Sequence, residues 1–201
     1  MTRKVVLATH NLHKVEEFQR ILGERMPDLE VVPYDGPEPV EDGTSFAENG
    51  LIKARAAAAH TGLVALADDS GIGVAVLGGS PGIFSARWSG TRDSIANLEL
   101  LLAQTADVRD RDRAAWFTCA IAIATPDGAE EVVEGRWDGR LARAASGAGG
   151  FGYDPIFLPA GIPGFSGSAA DLAPEEKNAV SHRARAFEAA APVLERLLPP
   201  A

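Results

Sequence analysis

Two adjacent carboxylates followed by a hydroxyl and a glycine form the segment Asp68-Asp69-Ser70-Gly71. It follows the short apolar run 63–67, which is typical of a buried strand. Because α/β proteins place chemistry at strand ends, the carboxylates favour a divalent metal site, a general base, or both. A polar turn is the alternative, since Asp, Ser and Gly are ordinary turn residues. The other polar segments of the chain have to decide between these interpretations.

Lysine is scarce, and most of the cations are arginines. An ammonium group is a compact charge that suits phosphate oxygens, so the few lysines mark positions to inspect. They are Lys4, Lys14, Lys53 and Lys177. Scattered lysines left by usage bias are the alternative.

Lys14 ends the polar segment Thr9-His10-Asn11-Leu12-His13-Lys14, which lies between a predicted strand (5–8) and an amphipathic helix that stops near Gly23. A strand, a polar turn and a helix N-terminus together bind phosphate through free N–H groups and the positive end of the helix dipole. An asparagine cap with an incidental lysine is the alternative.

Lys53 lies on a second predicted helix, 46–60, which opens with a capping-box pattern at Ser45 and Glu48. Asn49 and Lys53 share a face of this helix because they are four residues apart. The sharper hypothesis is that this face points into a site; a surface ion pair of Glu48 is the alternative. An irregular acidic loop, 35–43, precedes the helix and contains Glu41.

Four glycines within six residues precede and interrupt the sequence Phe151-Gly152-Tyr153-Asp154. Glycine permits backbone conformations and close ligand approach that other residues resist. An exposed aromatic in such a loop suits stacking on a base, and Asp154 can accept hydrogen bonds from a base edge or ribose. A glycine-rich turn with core aromatics is the alternative.

The C-terminal helix is predicted to begin near Pro174 and carries Lys177, Ser181, His182 and Arg183. In a regular helix Lys177 and Ser181 share a face, but His182 and Arg183 do not. Either the helix begins later, or the three cations surround a ligand from different directions. Ordinary surface charge is a third interpretation.

The remaining pattern predicts an α/β protein with a mixed sheet. Strands are predicted at 29–34 and 72–77, and a hairpin joins 115–125 to 131–137. Asp138-Gly139 predicts a further turn before a short strand, and 94–102 predicts a helix. The charged segment 107–113 is the predicted boundary between two lobes of a single domain, 1–201.

Composition narrows the functional classes. The chain has 201 residues, 46% of them hydrophobic, and a net charge of −9. That charge argues against broad binding to nucleic acid or anionic membrane, and no run is long enough to span a bilayer. We also find no signal peptide, so a cytoplasmic location is expected. The single cysteine, Cys119, lies in an apolar run and is interpreted as a buried, inert thiol.

Taken together, six motifs in order resemble the inosine triphosphate pyrophosphatase family, and within it the bacterial dITP/XTP pyrophosphatases. The resemblance runs from about residue 4 to residue 198, and its six motifs occur in the family's order and at the family's spacing. The motifs are Thr9-x-Asn11-x-x-Lys14, Ser45-Phe46-x-Glu48-Asn49-x-x-x-Lys53-Ala54, Ala67-Asp68-Asp69-Ser70-Gly71, Pro81-Gly82-x-x-Ser85-Ala86-Arg87, Gly149-Gly150-Phe151-Gly152-Tyr153-Asp154-Pro155 and Glu176-Lys177-Asn178-x-x-Ser181-His182-Arg183.

The resemblance implies a mixed, twisted sheet with flanking helices in two lobes around a nucleotide cleft. It implies a homodimer and a Mg²⁺-dependent enzyme that hydrolyses dITP, ITP and XTP to the monophosphate and pyrophosphate. Rival hypotheses are a house-cleaning pyrophosphatase with another base preference, as in Maf-like proteins, and a nucleotide-binding regulator without turnover.

The resemblance also assigns roles to individual residues. Asp69 is the expected general base, and Glu41, Asp68 and Asp69 are the expected Mg²⁺ ligands. The expected substrate-binding residues are Thr9, His10, Asn11, Leu12, His13, Lys14, Lys53, Ser70, Phe151, Gly152, Tyr153, Asp154, Lys177, His182 and Arg183.

Two residues depart from the family pattern. His10 stands where a small residue is usual, and Gly50 lies inside the second helix where alanine is usual. Glycine in a helix interior is expected to weaken that helix by up to about 1 kcal/mol.

Overall fold

The structure is a computed structural model that describes residues 2–198. Within these residues five helices and six strands follow one another, with short 3₁₀ turns between some of them. The strands are β1 (Arg3–Leu7), β2 (Leu29–Pro33), β3 (Val64–Val74), β4 (Ala114–Ala124), β5 (Glu130–Leu141) and β6 (Phe157–Pro159). The helices are α1 (Leu12–Gly23), α2 (Phe46–Thr61), α3 (Ser94–Gln104), α4 (Pro174–Val180) and α5 (His182–Leu197).

The sheet is mixed, as the sequence predicts. Its strand order is β2-β1-β3-β4-β5-β6. β1 pairs in parallel with β2 and with β3, whereas β6 runs antiparallel to β5. Parallel pairing demands crossover connections, and α1 and α2 supply them between β1, β2 and β3.

The chain divides into two compact units. Among the described residues, the first contains 2–69, 119–135 and 185–198, and the second contains 70–118 and 136–184. The prediction of a lobe boundary at 107–113 is therefore wrong: this segment lies within the second unit and includes the 3₁₀ turn Asp110–Asp112. The boundaries fall inside β3, β4, β5 and α5. A sequence search for linkers misses them, because no loop or change of composition marks a boundary within a regular strand or helix.

In the first unit, alternate residues of the strands pack into two different hydrophobic clusters. Leu66 packs in one cluster with Phe18 of α1 and Phe187 of α5, whose rings meet edge to face at 4.4 Å. Ala65 and Ala67 belong to a second cluster, in which alanines of α2 pack against alanines of β3 and β4. Successive strand residues point to opposite faces, so the α1–α5 layer and the α2 layer cover different faces of this unit's strands.

Gly50 allows α2 to pack closely on β4. A Cβ added at Gly50 would lie 3.1 Å from the Cβ of Ala122. The helix-weakening glycine thus has a packing reason.

The second unit has its own core. Ile72 and Val74 of β3 pack with Leu98 and Leu101 of α3 and with the buried Trp137 of β5. Ile95, near the start of α3, is exposed and does not belong to this core.

A predicted strand end and a predicted turn are instead continuous strand. β3 runs without interruption from Val64 to Val74, so Asp68-Asp69-Ser70-Gly71 is not a loop. β5 likewise passes through Asp138-Gly139, where a Cβ on Gly139 would lie 2.6 Å from the ring of Phe157. Gly139 lies opposite Pro159 of β6, so this glycine makes room for the neighbouring strand rather than for a turn.

Two further findings concern the whole described chain. Within residues 2–198 no helix is both long enough and apolar enough to cross a bilayer. The Cys119 side chain is fully buried, as the sequence predicts.

Candidate active site

The two carboxylates of β3 point to opposite faces because they are consecutive strand residues. Residues two apart in a strand share a face, so Asp68 lies on the same face as Leu66, which α1 covers. Asp69 lies on the same face as Ala67, which α2 covers. Each carboxylate therefore meets a different helix and a different lysine. The continuity of β3, which the sequence does not predict, decides this division.

Asp68 is held by Lys14. Its side chain is 4% exposed, and its two oxygens accept hydrogen bonds from Lys14 Nζ at 2.9 and 3.0 Å. Lys14 lies in the first turn of α1, which Asn11 caps by accepting a hydrogen bond from the backbone N–H of His13. The cap is thus present, and it sets where α1 begins and so where Lys14 points.

Asp69 shares the ammonium group of Lys53 with Glu41. Lys53 Nζ lies 3.6 Å from Asp69 Oδ1 and 3.4 Å from Glu41 Oε2, and it donates a 2.8 Å hydrogen bond to the backbone carbonyl of Asp68. The Asp69 side chain is 19% exposed, which leaves it accessible to a small molecule. The ammonium group of Lys53 therefore links the acidic loop, through Glu41, to the middle of β3.

Asn49 is a site residue missing from the predicted set. It is buried, its Oδ1 accepts a 2.9 Å hydrogen bond from the backbone N–H of Gly43, and its side chain is also hydrogen-bonded to Asp69. Its amide thus orients Asp69 and fixes the end of the acidic loop. The shared helix face of Asn49 and Lys53 was the sequence signal for this role.

The pKa of Asp69 is raised above its usual value, chiefly because burial disfavours the carboxylate. The positive charge of Lys53 opposes this rise, while the negative charges of Glu41 and Asp68 add to it. A partly buried carboxyl with an elevated pKa and exposure to a small molecule suits a general base.

The same acidic residues fit a magnesium ion. Among residues 2–198 no three His, Cys, Asp or Glu side chains form a group that could hold a metal. Mg²⁺ does not need such a group, because it keeps several waters and binds through one or two carboxylates plus substrate phosphates. Glu41 and Asp69 offer hard oxygen donors, and their mutual repulsion, which raises the pKa of Asp69, favours a cation beside them.

In the predicted phosphate segment, residues 10–13 are exposed, and Thr9 and Lys14 are half-buried. Thr9 Oγ1 accepts a hydrogen bond from the backbone N–H of Asn11, which gives the turn its shape. Leu12 and His13, in the first turn of α1, are exposed. His10 is turned toward a different segment of the chain, the residues around Gly36.

The second unit contains a separate cluster around Phe151. The Phe151 ring is 66% exposed, Lys177 Nζ lies 4.9 Å from its centroid, and the guanidinium carbon of Arg183 lies 5.8 Å from it. Cations over an aromatic face are attracted by the ring quadrupole. The ring and both cations are thus assembled at one place.

The buried carboxylate of Asp154 holds Phe151 and Lys177 of this cluster in place. Its side chain is 3% exposed, and Oδ2 accepts hydrogen bonds from the backbone N–H of Phe151 at 2.7 Å and from Lys177 Nζ at 2.5 Å. Gly150 adopts φ +71°, and a Cβ there would lie 2.8 Å from the Cβ of Asp154. A glycine is therefore required for the loop to close over this carboxylate.

The other predicted residues of the second unit differ in exposure. Tyr153 is a core residue whose hydroxyl donates to the Ser85 carbonyl at 2.8 Å, and burial raises its pKa. The core-aromatic interpretation is thus right for the Tyr153 side chain. Gly152 adopts φ +60°, and Ser70 is a half-buried residue of β3.

The C-terminal cations lie on two helices. The chain leaves helical geometry at Ser181, at φ −68° and ψ 163°, so Lys177 belongs to α4 while His182 and Arg183 open α5. This break resolves the question of the shared helix face. The imidazole of His182 stacks on Phe117, with centroids 4.8 Å apart and planes 14° apart.

A profile of the Ham1 family matches residues 5–193. The chain belongs to the Ham1 family. Among curated relatives of this Ham1 protein, the dITP/XTP pyrophosphatase of Leifsonia xyli subsp. xyli is 61% identical over 98% of both chains. The dITP/XTP pyrophosphatase of Streptomyces coelicolor is 52% identical over 98% of this chain and all of the relative.

Solved structures of Ham1 proteins have the same fold. A HAM1 protein from Coxiella burnetii superposes with a TM-score of 0.87 at 40% identity, covering 98% of this chain and 100% of that one. The nucleoside-triphosphatase, dITP/XTP pyrophosphatase, of Mycobacterium abscessus gives a TM-score of 0.79 at 49% identity, covering 94% and 99%. These likenesses confirm the resemblance drawn from the motifs, together with the fold class.

Proposed function

We propose that this Ham1 protein hydrolyses deaminated purine nucleoside triphosphates, namely dITP, ITP and XTP, to the monophosphate and pyrophosphate. The observation that carries the proposal is the environment of Asp69: a carboxyl of raised pKa, oriented by Asn49 and adjoining the ammonium of Lys53. The names of the relatives at 61% and 52% identity support the same substrates.

In the proposed reaction Asp69 takes a proton from water. The water oxygen bonds to the α phosphorus, the bond from that phosphorus to the α–β bridging oxygen breaks, and pyrophosphate leaves. Lys14, Lys53 and the N-terminus of α1 supply positive charge and N–H donors to the phosphate oxygens. Phosphoryl chemistry depends mainly on such positioning and charge stabilisation.

We propose Mg²⁺ as the cofactor, with Glu41 and Asp69 as its protein ligands; Asp68, also expected from the resemblance, points to the other face of β3 and pairs with Lys14. When bound, the ion would offset triphosphate charge and orient its oxygens. Asp68 is already neutralised by Lys14, so Glu41 and Asp69 are the two carboxylates with most need of a further cation.

Base recognition is assigned to the second cluster. Phe151 would stack on the purine, and Lys177 and Arg183 would donate to its oxo groups. A donor aimed at the 6-oxo oxygen is left unmatched by the amino group of adenine, which can cost orders of magnitude in kcat/KM. Asp154, almost fully buried, would act by holding Phe151 and Lys177 in place.

Pyrophosphate release tests the proposal. The protein is incubated with dITP, ITP, XTP, GTP and dTTP, each with and without Mg²⁺. We expect rapid release from the first three only, and only with the metal. Preference for dTTP or GTP would favour a pyrophosphatase of another base preference, and no release from any nucleotide would leave a binding protein without turnover.

Asp69→Asn tests the base assignment. This variant keeps the size of the side chain but cannot take the proton, so we expect turnover to be lost while dITP still binds. Turnover retained by this variant would show that another group activates the water. We also propose a homodimer, which light scattering would detect as twice the mass of one chain.

A further inference from the structure

The side chain of His10 contacts a distant segment instead of projecting from the phosphate turn. Its Nε2 donates a 2.9 Å hydrogen bond to the backbone carbonyl of Gly36, and its Nδ1 lies 3.5 Å from Glu38 Oε1. The imidazole also stacks on Tyr34, with centroids 5.9 Å apart and planes 16° apart. A residue of the β1–α1 turn is thus joined to the segment that follows β2.

That segment is itself tightly folded around Tyr34. The Tyr34 hydroxyl donates to the Pro37 carbonyl at 3.0 Å, and a Cβ on Gly36 would lie 2.5 Å from the Tyr34 ring. His60 of α2 meets the Tyr34 ring edge to face at 5.5 Å. The carbonyl that accepts from His10 is therefore presented by an ordered turn.

The same segment leads directly to Glu41. We name residues 34–44 the acid loop. At its far end the backbone N–H of Gly43 donates to Asn49, and the backbone N–H of Thr44 donates to Glu48 at 2.6 Å. The near end is anchored by Tyr34 and by His10. Between the two anchored ends, Glu41 forms an ion pair with Lys53.

We propose that His10 is a positioning residue that couples the phosphate turn to the acid loop, and that it acts through Gly36 and Glu38 on the placement of Glu41. This inference rests on the proposed function, in which donors from residues 9–14 bind the phosphates and the Glu41 carboxylate binds the metal ion of the same triphosphate. The two segments must then be held at a fixed distance from each other. In this proposal the His10 side chain does not contact substrate; it holds the phosphate turn and the acid loop in fixed relative positions.

The chemistry of the contact defines the variants. A carbonyl oxygen only accepts, so position 10 must supply an N–H donor at about the distance of Nε2. Glutamine supplies such a donor, whereas phenylalanine keeps the stacking on Tyr34 and supplies none. His10 is about half exposed, so both variants are expected to fold. Arg20→Ala, an exposed change on α1 outside the site, is the control.

Hydrogen exchange of the metal-free protein tests the coupling directly. In His10→Phe, amides of residues 36–43 are expected to exchange about two- to tenfold faster, the factor that one hydrogen bond of ordinary strength provides. His10→Gln and Arg20→Ala are expected to match the wild type. Unchanged exchange in His10→Phe would overturn the proposal.

Kinetics with dITP separate positioning from substrate contact. His10→Phe is expected to need a higher Mg²⁺ concentration for half-maximal rate and to lose kcat, and His10→Gln is expected to restore both. A rise in KM alone, shared by Phe and Gln, would mean that His10 contacts the nucleotide and would also overturn the proposal. If the wild type releases no pyrophosphate, the proposed function fails while the exchange result still decides the coupling.

Discussion

Replacing Lys53 with methionine removes the cation that lies beside Asp69. The Lys53 Nζ to Asp69 Oδ1 distance is 3.6 Å. At that separation the Coulomb energy is roughly 1 kcal/mol in water and about 4–5 kcal/mol at an effective dielectric constant of about 20. This energy favours the charged carboxylate, so loss of the cation is expected to raise the pKa of Asp69 further above its usual value.

Carboxyl ¹³C NMR titration of the metal-free protein measures this pKa directly, and Asp69→Asn assigns the signal. The wild-type pKa of Asp69 is expected above its usual value, because burial outweighs Lys53. Lys53→Met is expected to titrate at higher pH still, and Lys53→Arg, which keeps the charge, near the wild type. A pKa that is unchanged or lower in Lys53→Met would refute the assignment of Lys53 as the charge partner of Asp69.

Stability provides a second measurement of the same effect. A carboxyl whose pKa is higher in the folded than in the unfolded state binds more protons when folded, so stability falls as pH rises between the two values. Lys53→Met widens that window toward higher pH. Its free energy of unfolding is therefore expected to decline over a broader pH range than that of the wild type, as urea titrations at several pH values would show.

Three further predictions concern other parts of the structure. Lys14→Met leaves the buried Asp68 carboxylate without its ammonium and is expected to lower the free energy of unfolding in urea by about 1–3 kcal/mol; an unchanged midpoint would contradict the ion pair. Gly50→Ala is expected to destabilise the protein despite a helix-propensity gain of about 1 kcal/mol, and in an Ala122→Gly background the same substitution should stabilise it. Phe151→Ala is expected to weaken dITP binding by about 1–3 kcal/mol in calorimetry with no loss of melting temperature, because the ring is exposed; unaltered affinity would exclude stacking.

Local signals in the sequence were sufficient for most elements. The apolar run and capping asparagine before Lys14 define β1 and α1, and the Ser45 cap and alanine-rich face define α2. These predictions succeed because helix caps and side-chain periodicity act over a few residues. The ordered motifs were likewise sufficient for the family.

Turn chemistry was a weaker guide. Asp-Asp-Ser-Gly and Asp-Gly are ordinary turn sequences, yet both lie within strands, since pairing with neighbouring strands overrides local preference. The break at Ser181 also has no clear local signal. A strand partner or a packed helix comes from far along the chain, and its contribution is invisible in a short window.

The sequence by itself determined which groups the protein possesses: adjacent carboxylates, scarce lysines, and a glycine-flanked phenylalanine. Only the tertiary structure decided how they divide their work. The continuous β3 sends Asp68 to Lys14 and Asp69 to Lys53, and the packing of α2 places Asn49 against Asp69. The physical reason is that a strand turns each successive side chain to the opposite face, so neighbours in sequence meet different partners in space.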